Sequence, residues 1–469
     1  MNTFNKVSAE MLEELRAALG ERFVSTDVDK LETYKTDEEA NPKYHHYPEV
    51  VVFPENTEQV AAVVRLANKY VVPVTPRGAG SGLAGGAIPV YGGIVLVMER
   101  MNKIVEFNTE SLYVVAQAGV RTDELQKEAK RHGLLYAGDP CSSDSCQIGG
   151  NIATNAGGNK AVKYGTTRDQ IYALEVVTGE GDIVNVGSRL AKKSTGYALE
   201  QLLVGSEGTL AIVTQVTLKL KPLPPHNMDF LAVFTDIDKA LTLPNKVAKA
   251  GLNPTCMEFM DNLCVISCSR YIKVDLPYAN KGGIYVIITI DGFSEDEIDR
   301  KAELLDALCT ECGAVEVLVA DEERIWKARR NVAEAARADS LIFSPEDVVV
   351  PLDAIVKVMK KLPELEAKYG LAAHTCAHIG DGNIHVNVLK GDLPVETWNS
   401  KLDEYHKDLF GFVYQLGGRL SGEHGIGVKK IKEMEMFTDP IELKMMKSIK
   451  QALDPKGILN PGKIFRMDQ

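Results

Sequence analysis

A glycine-rich run that follows a short apolar segment constrains this chain more than any other stretch. Residues 72–86 read VPVTPRGAGSGLAGG, and five of the nine residues from Gly78 to Gly86 are glycine. Glycine accepts positive φ and lets another molecule approach the backbone closely. Successive bare N–H groups on such a loop form a concave nest for an anion, typically phosphate. The run therefore predicts a phosphate-binding loop, and the alternative is a glycine-rich surface turn.

Two familiar phosphate-binding motifs do not explain this loop. Gly80, Gly82 and Gly85 fit the pattern G-x-G-x-x-G, but that dinucleotide motif requires a helix that begins inside it. Here Pro89 follows, and residues 94–98 have the pattern of another strand. A Walker A loop requires Gly-Lys followed by Ser or Thr, which the run lacks. We therefore expect neither a Rossmann fold nor a P-loop.

Length and composition exclude several classes of protein. The 469 residues are enough for two or three domains, and the formal net charge of −12 argues against nucleic-acid binding, which needs basic surface. No apolar run approaches the ~20 residues of a transmembrane helix, and the N-terminus does not resemble a signal peptide. The eight cysteines are therefore expected to be reduced thiols in a cytoplasmic protein, without the spacing of an iron–sulfur cluster.

Two further stretches are rich in small and polar residues. Residues 138–158 contain two pairs of glycines, and we expect them to wrap a large polar ligand and to form no element of the hydrophobic core. Residues 203–213 carry a third glycine-bearing loop that leads into a strand. The proline-rich run 221–225 is the clearest boundary, and beyond it strands alternate with long helices, which predicts a sheet with helices on one side.

A histidine pair marks a candidate metal site in this second part. Residues 378–385 read HIGDGNIH, which predicts a tight turn between two strands. If Ile379 pairs with Ile384, then His378 and His385 form the next cross-strand pair, with Cβ atoms ~5 Å apart. Two imidazoles and a carboxylate, for which we select Glu423, suit zinc, iron(II) or manganese. The alternative is that the histidines are ordinary core or turn residues.

The chain resembles the flavoprotein family of vanillyl-alcohol oxidase. Within that family it is most similar to the glycolate oxidase flavin subunit, D-lactate dehydrogenases and D-2-hydroxyglutarate dehydrogenase. The resemblance extends over about residues 48–463 and rests on long motifs: PRGAGSGLAGG at 76–86, DPCS at 139–142, IGGNIATNAGG at 148–158, VGSEGTL at 204–210, HIGDGNIH at 378–385, SGEHGIG at 421–427 and LNPGK at 459–463.

The resemblance implies an α+β fold and a bound FAD. We expect a vanillyl-alcohol-oxidase-type FAD-binding domain of two α+β subdomains over residues 1–222, and an α+β cap domain of antiparallel sheet and helices over 223–429. Residues 430–469 are expected to return to the FAD domain. FAD is expected to be noncovalent, because the first loop has no histidine to attach it. The residues expected to bind FAD are Pro76, Arg77, Gly78, Ala79, Gly80, Ser81, Gly82, Asp139, Pro140, Ser142, Gly149, Gly150, Asn151, Asn155, Gly157, Gly158, Tyr164, Gly165, Glu207, Gly208, Ile212 and Asn460.

The implied reaction is the oxidation of a small D-2-hydroxy acid, in which a divalent metal binds the substrate and FAD accepts hydride. His424 is the expected general base, Arg329 matches the arginine that relatives place on the substrate carboxylate, and Asn387 faces the same side of its strand as His385. The 2-hydroxyglutarate branch carries a threonine where this chain has Ala333, and it carries a lysine that residues 344–347 lack. D-lactate is therefore the favoured substrate, ahead of glycolate and D-2-hydroxyglutarate.

The resemblance also implies an external electron acceptor. We expect a partner such as electron-transfer flavoprotein or an iron–sulfur subunit, and the sequence is compatible with a homodimer. Two other functions stay open: a metal-dependent hydrolase, which would leave the glycine loops unexplained, and a noncatalytic flavoprotein subunit that conducts electrons in a larger complex.

Overall fold

The computed structural model describes residues 4–39 and 41–467. Contacts between these residues divide the chain into two compact units. Unit 1 contains the described residues up to Gly157, then Thr166–Leu223, and then those from Glu423 onwards. Unit 2 contains Gly158–Gly165 and Pro224–Gly422. Unit 1 is therefore built from three separate segments of the chain.

The strands lie in both units. Their bounds are β1 Val24–Ser25, β2 Val50–Val52, β3 Val74–Arg77, β4 Ile94–Val97, β5 Ile104–Asn108, β6 Tyr113–Gln117, β7 Leu134–Leu135, β8 Ile171–Val177, β9 Ile183–Gly187, β10 Ile212–Lys219, β11 Lys221–Pro222, β12 His226–Phe234, β13 Cys256–Met260, β14 Ile284–Gly292, β15 Glu316–Val319, β16 Phe343–Val349, β17 Ala372–His378 and β18 Asn383–Leu389.

The α-helices are longest in unit 2. Their bounds are α1 Ala9–Leu19, α2 Val28–Thr33, α3 Thr57–Tyr70, α4 Thr122–Arg131, α5 Ile148–Thr154, α6 Ala161–Tyr164, α7 Leu199–Leu203, α8 Ile237–Ala240, α9 Leu243–Lys249, α10 Asn262–Ile272, α11 Glu295–Glu311, α12 Lys327–Arg330, α13 Val332–Asp339, α14 Ile355–Tyr369, α15 Val395–Gln415, α16 Ile431–Phe437 and α17 Pro440–Leu453. No helix in the described ranges is both long and apolar enough to cross a membrane.

The first sheet of unit 1 holds the first glycine loop. Its strand order is β1-β2-β4-β3, with β3 and β4 parallel and adjacent. Helix α3 begins at Thr57, where the side chain of Asn56 accepts the N–H of Gln59 at 2.9 Å, and its apolar face packs into the core of this sheet. No helix lies between β3 and β4 in the part of the chain that the structure describes. The exclusion of a Rossmann fold is therefore confirmed.

The end of the chain packs beside β3. The N–H of Val74 donates to the carbonyl of Ile458 at 2.8 Å, and the N–H of Asn460 donates back to the carbonyl of Val74 at 2.8 Å. The buried ammonium of Lys450 donates to the carbonyls of Thr209 and Leu459 at 2.7 and 2.8 Å. These bonds fix α17 and the following segment to the sheet that carries the first glycine loop.

The second sheet of unit 1 is antiparallel, in the order β5-β6-β10-β8-β9. Helix α5 packs against its core through Ile148 and Ile152, which are fully buried. The prediction that residues 138–158 form no core element was therefore wrong. The two isoleucines are four residues apart, so both point from one face of the helix into the core while the glycines stay outside.

Unit 2 is built on one antiparallel sheet in the order β15-β12-β14-β13-β17-β18-β16. Cys376 on β17 packs into the core beneath α10, whereas Glu346 on β16 points to the opposite face and lies 2.8 Å from His406 of α15. Helices therefore cover both faces, and the prediction of helices on one side was wrong. The helical region 237–249 is divided into α8 and α9, with Pro244 in the first turn of α9.

One prediction concerns the approach of the C-terminal segment to the first glycine loop. Gly427 has a φ of +54°, and a Cβ there would come within 1.9 Å of the carbonyl oxygen of Ala84. Gly391 has a similar φ of +52° but has nothing within 4 Å of its Cβ position. Both alanine variants are strained by the left-handed backbone, and only Gly427→Ala adds a backbone clash. We expect G427A to lower the apparent melting temperature by about 5 °C more than G391A, measured by scanning fluorimetry. Equal shifts for the two variants would contradict this packing.

Candidate functional site

The first glycine loop begins where β3 ends at Arg77. The guanidinium of Arg77 donates to the carbonyl of Thr36 at 2.6 Å and lies under Gly80, where a Cβ would come within 2.1 Å of Nη2. Within the described residues, the backbone N–H groups of residues 79–84 donate to no acceptor. These consecutive N–H groups, supported by a buried arginine, have the character of an anion-binding nest. Of the residues expected to bind FAD, this strand end and loop hold Pro76, Arg77, Gly78, Ala79, Gly80, Ser81 and Gly82.

The second glycine-bearing stretch lies against the first. A Cβ on Gly78 would lie 3.4 Å from Oε1 of Gln147, the residue that precedes α5. Gly149 starts the helix directly on the end of β6, where its N–H donates to the carbonyl of Ala118 at 2.8 Å. A Cβ on Gly150 would meet nothing within 4 Å. The start of α5 is therefore an open backbone surface beside the nest.

Other expected FAD residues use their side chains to fix this stretch. Asp139 accepts a hydrogen bond from Gln126 at 3.0 Å, and Asn151 donates to Thr122 at 2.6 Å. Asn155 ends α5 with a φ of 54° and accepts the N–H of Arg168 at 2.9 Å. Pro140 and Ser142 lie in the turn before α5, and a Cβ on Gly157 would come within 2.8 Å of Oε2 of Glu423.

Glu207 joins the third loop to the C-terminal segment. Its buried carboxylate accepts the N–H groups of Ile426 and Gly427 at 2.7 and 2.8 Å. Asn460 donates through Nδ2 to the carbonyls of Glu207 and Gly86, at 2.7 and 3.0 Å. Burial raises the pKa of Glu207, and the two backbone N–H groups oppose that rise. The Glu207 carboxylate thus binds protein backbone. The next residue, Gly208, packs against Pro76, and Ile212 is the first residue of β10.

Two orphaned polar atoms show that this region of unit 1 suits a large polar cofactor. Oε1 of Gln147 and Oδ1 of Asn460 are buried and accept no hydrogen bond within residues 4–39 and 41–467. A buried acceptor without a donor is costly unless a ligand or water supplies the donor. The nest would suit the pyrophosphate of FAD, and these acceptors suit its N–H groups. Gln147 was missed at the sequence level, although it directly precedes the Ile148–Gly158 motif.

The remaining expected FAD residues, Gly158, Tyr164 and Gly165, belong to unit 2. The hydroxyl of Tyr164 donates to Asp291 of β14 at 3.0 Å, and Lys163 is ion-paired with the same carboxylate. Burial raises the pKa of Tyr164, so this hydroxyl stays protonated near neutral pH. The Gly158–Gly165 segment is thereby fixed to the sheet of unit 2.

The histidine hairpin of unit 2 has a different register from the one predicted. Ile384 pairs with Ala377, His378 lies opposite Asn383, and His385 lies opposite Cys376. The predicted pairing of Ile379 with Ile384 was therefore wrong, because residues 379–382 all lie outside the paired strands. His378 and His385 are diagonal neighbours on the same face. Their ring centroids are 5.1 Å apart and the ring planes are almost perpendicular.

Glu258 connects two of the predicted site residues. It is fully buried on β13, directly opposite His378, whose Nδ1 lies 2.7 Å from Oε1 of the carboxylate. Arg329 of α12 donates through Nε to Oε2 at 2.9 Å and through Nη2 to the same oxygen. Burial opposes ionisation of Glu258, but His378 and Arg329 outweigh it and lower the pKa to about 2. Glu258 is therefore an anion at every physiological pH.

Asp347 is the second fully buried carboxylate on this face of the sheet. Its Oδ1 accepts from Asn383 at 2.6 Å and lies 3.9 Å from Nδ1 of His385. Its Oδ2 accepts the hydroxyl of Ser421 at 2.7 Å and the N–H of Gly422 at 3.0 Å. Asp347 thus connects a histidine strand to the turn that ends at Gly422.

The other predicted catalytic and metal-binding residues are placed as follows. Asn387 is buried and lies two residues beyond His385, on the same face of β18. Glu423 is the residue after Gly422 in the chain and begins the last segment of unit 1. His424 follows, with Nε2 lying 3.9 Å from Oε1 of Glu423. His378, His385, Asn387 and Arg329 are all in unit 2.

Glu258 and Asp347 were not recognised from the sequence as site residues, although a signal exists. Glu258 is the only charged residue in Cys256–Met260, and Asp347 precedes three valines. A carboxylate inside a buried strand is rare unless it is paired. Such a residue in a strand next to a histidine-bearing strand is a candidate partner of the histidine.

Two protein-family models match the chain. The one described as FAD linked oxidases, C-terminal domain, matches residues 223–464, and the one described as FAD binding domain matches residues 48–187. D-lactate dehydrogenase of Anaerostipes hadrus is 35% identical over 469 residues, which cover 98% of each protein. Glycolate oxidase subunit GlcD of Bacillus subtilis (strain 168) is 35% identical over 467 residues, again 98% of each.

Solved structures show the same fold. A crystal structure of p-cresol methylhydroxylase with substrate bound is 18% identical and superposes with a TM-score of 0.82, covering 97% of this chain and 96% of the other. The predicted vanillyl-alcohol-oxidase-type α+β fold is confirmed.

The loop region yields a prediction about pH. Asp37 lies 3.7 Å from the Cβ position of Gly82, and burial raises its pKa from 3.8 to about 6. The folded-state pKa exceeds the unfolded one, so the buried Asp37 carboxyl lowers the stability of the fold only where it is ionised. This loss of stability is absent below pH 3.8 and complete above pH 6. We expect Asp37→Asn to raise the apparent melting temperature by about 3 °C at pH 8 and by about 0 °C at pH 4. The control is Asp27→Asn, which changes an exposed helix cap and should give a difference that does not vary with pH. A pH-independent effect of D37N would contradict the burial of this carboxyl.

Proposed function

The chain belongs to the family of FAD-linked oxidases, and we propose that it oxidises a small D-2-hydroxy acid, D-lactate in the first place, to the 2-oxo acid. The observation that carries the proposal is the pair of buried histidines on one face of the unit 2 sheet, joined to an arginine through Glu258. The similarity of the chain to a D-lactate dehydrogenase and to a glycolate oxidase subunit supports this class of substrate.

We propose that His378, His385 and Glu423 hold one divalent cation. The donor set fits, because both rings are buried with their centroids 5.1 Å apart, and the Nδ1 side of His378 is occupied by a carboxylate. Glu423 directly follows Gly422, whose N–H is fixed by Asp347 in the same unit as the histidines. A cation held by two histidines and one carboxylate would polarise the substrate hydroxyl and lower its pKa.

The other residues bind the substrate and move one proton. Arg329 is proposed to attract the substrate carboxylate, and Asn387 to hydrogen-bond the substrate from the same sheet face. Neutral His424 is proposed to take the hydroxyl proton, since imidazole suits that role near pH 7. FAD, when bound, supplies the acceptor for the hydride from the substrate carbon. Loss of the proton and the hydride leaves the 2-oxo acid.

The electrons are proposed to leave through an external acceptor, a protein such as electron-transfer flavoprotein or an iron–sulfur subunit. The eight cysteines do not have the spacing of a cluster of the chain's own. Ala333 in the second helical position of α13 supports a small acid, because a methyl group there offers no hydrogen bond to a second carboxylate.

The experiment that tests the reaction is an anaerobic absorbance spectrum of the purified protein, recorded before and after each candidate acid. We expect the flavin band to disappear with D-lactate, and to persist with L-lactate. Glycolate and D-2-hydroxyglutarate are tested in turn. They show whether the site prefers a shorter substrate or one with a second carboxylate. A flavin band that none of the acids bleaches would contradict the dehydrogenase and favour a noncatalytic electron-conducting subunit.

A second prediction concerns the proton acceptor. We expect His424→Ala to slow anaerobic flavin reduction by about 10²- to 10⁴-fold, because the hydroxyl proton then has no positioned base. The FAD content should stay unchanged. The control His132→Gln replaces an exposed histidine that stacks on Phe107 and should keep the wild-type rate. Flavin reduction by H424A at the wild-type rate would rule out this histidine as the base.

A further inference from the structure

Two buried carboxylates in unit 2 neither bind substrate nor move a proton in the reaction proposed above. Glu258 and Asp347 are both fully buried, and both lie on the sheet face that carries His378 and His385. Isolated buried carboxylates are strongly destabilising, so such groups persist where they are paired and serve a purpose. Each of these two is directly opposite one of the histidines across a strand pair.

Glu258 determines which nitrogen His378 presents. Its Oε1 lies 2.7 Å from Nδ1, while its Oε2 is held by two donors of Arg329. An anionic carboxylate accepts hydrogen bonds and donates none, so Nδ1 of a neutral His378 carries the proton. The lone pair is then on Nε2, which is the form of imidazole that binds a metal. Arg329 in turn prevents the carboxylate from rotating away.

Asp347 holds the residues on the His385 side of the histidine pair. Oδ1 faces Nδ1 of His385 at 3.9 Å and is held by Asn383, while Oδ2 binds both Ser421 and the N–H of Gly422. A Cβ on Gly422 would come within 2.3 Å of Nδ2 of Asn383, so this turn is tightly packed. The turn ends one residue before Glu423. Asp347 therefore determines where the chain leaves unit 2 toward the third proposed ligand.

We propose that Glu258 and Asp347 are positioning residues of the metal centre, Glu258 through its contact with His378 and Asp347 through the turn before Glu423. This inference rests on the proposed function, because it assumes that the histidines bind a metal. Partners of this kind typically change metal affinity by about 10- to 100-fold. The inference concerns affinity for metal and is therefore measurable without substrate.

The test is a titration of the FAD-loaded, metal-stripped protein with Zn²⁺ against a chromophoric chelator. Zn²⁺ is a suitable probe even if the natural metal is iron or manganese, because sites of nitrogen and oxygen ligands bind it more tightly than either. We expect Glu258→Gln and Asp347→Asn each to raise the Kd for Zn²⁺ by about 10- to 100-fold. FAD content and circular dichroism should match the wild-type protein.

The chain provides a matched control in Glu346. It is also a fully buried glutamate of the same sheet, and it lies 2.8 Å from a histidine nitrogen, but it faces α15 on the opposite side. We expect Glu346→Gln to leave the Kd for Zn²⁺ within about twofold of the wild-type value, although it removes an equivalent buried carboxylate. A change in Kd as large as that of E258Q would show a general effect of disturbing the sheet and would overturn the inference.

E258Q leaves the cation of Arg329 buried without its partner, and the variant could fail to fold for that reason. The double variant E258Q/R329M removes both charges and still lacks the group that orients His378. We expect it to fold and to show the weakened Zn²⁺ affinity. Failure of the wild-type protein to bind Zn²⁺ would overturn the metal site and this inference together. Wild-type affinity in folded E258Q, E258Q/R329M and D347N would overturn this inference alone.

Discussion

In unit 1, the side chain of one buried glutamate joins three segments of the chain. Glu207 adopts a φ of 51°, which is unusual for a residue other than glycine, and its carboxylate accepts two consecutive backbone N–H groups of the C-terminal segment. Its own carbonyl accepts the amide of Asn460, which also donates to Gly86. The first loop, the third loop and the end of the chain therefore meet at one residue. Hydrogen bonds to backbone N–H groups, rather than an ion pair at close range, offset the burial of this carboxylate.

Local patterns in the sequence predict some of the elements in this region, among them the strand that follows the first glycine loop. The pattern of α3 and its asparagine cap, the strand at 94–97 and the turn between β8 and β9 all depend on neighbouring residues, and such features can be recognised without tertiary information. Helix α5 was missed because Gly149 and Gly150 lie in its first turn, and glycine disfavours a helix. The four-residue spacing of Ile148 and Ile152 is that of one face of a helix. Their burial in the core shows that this face is used.

In the candidate site, the sequence did not predict the hairpin register or the partners of the histidines. The hairpin register was two residues away from the predicted one, yet His378, His385 and Asn387 still share one face. The reason is the period of two in a strand, because a slip by two residues leaves every side chain on its side of the sheet. The partners of these histidines lie far along the chain, on β13 and β16. No local pattern connects Glu258 to His378 across 120 residues, so this contact could be found only in the folded sheet.

The pairing of β3 with residues 458–460 determines when the first sheet of unit 1 can be completed during translation. Val74 pairs with Ile458 and Asn460, and the latter is synthesised 386 residues later. At about 5–20 residues per second, the edge of β3 waits roughly 20–80 s for its partner. Unit 2 is complete once Gly422 has emerged from the ribosome, whereas β3 gains its partner only after Asn460 has been synthesised. The exposed edge of β3 therefore has to be kept from aggregating until that segment has emerged.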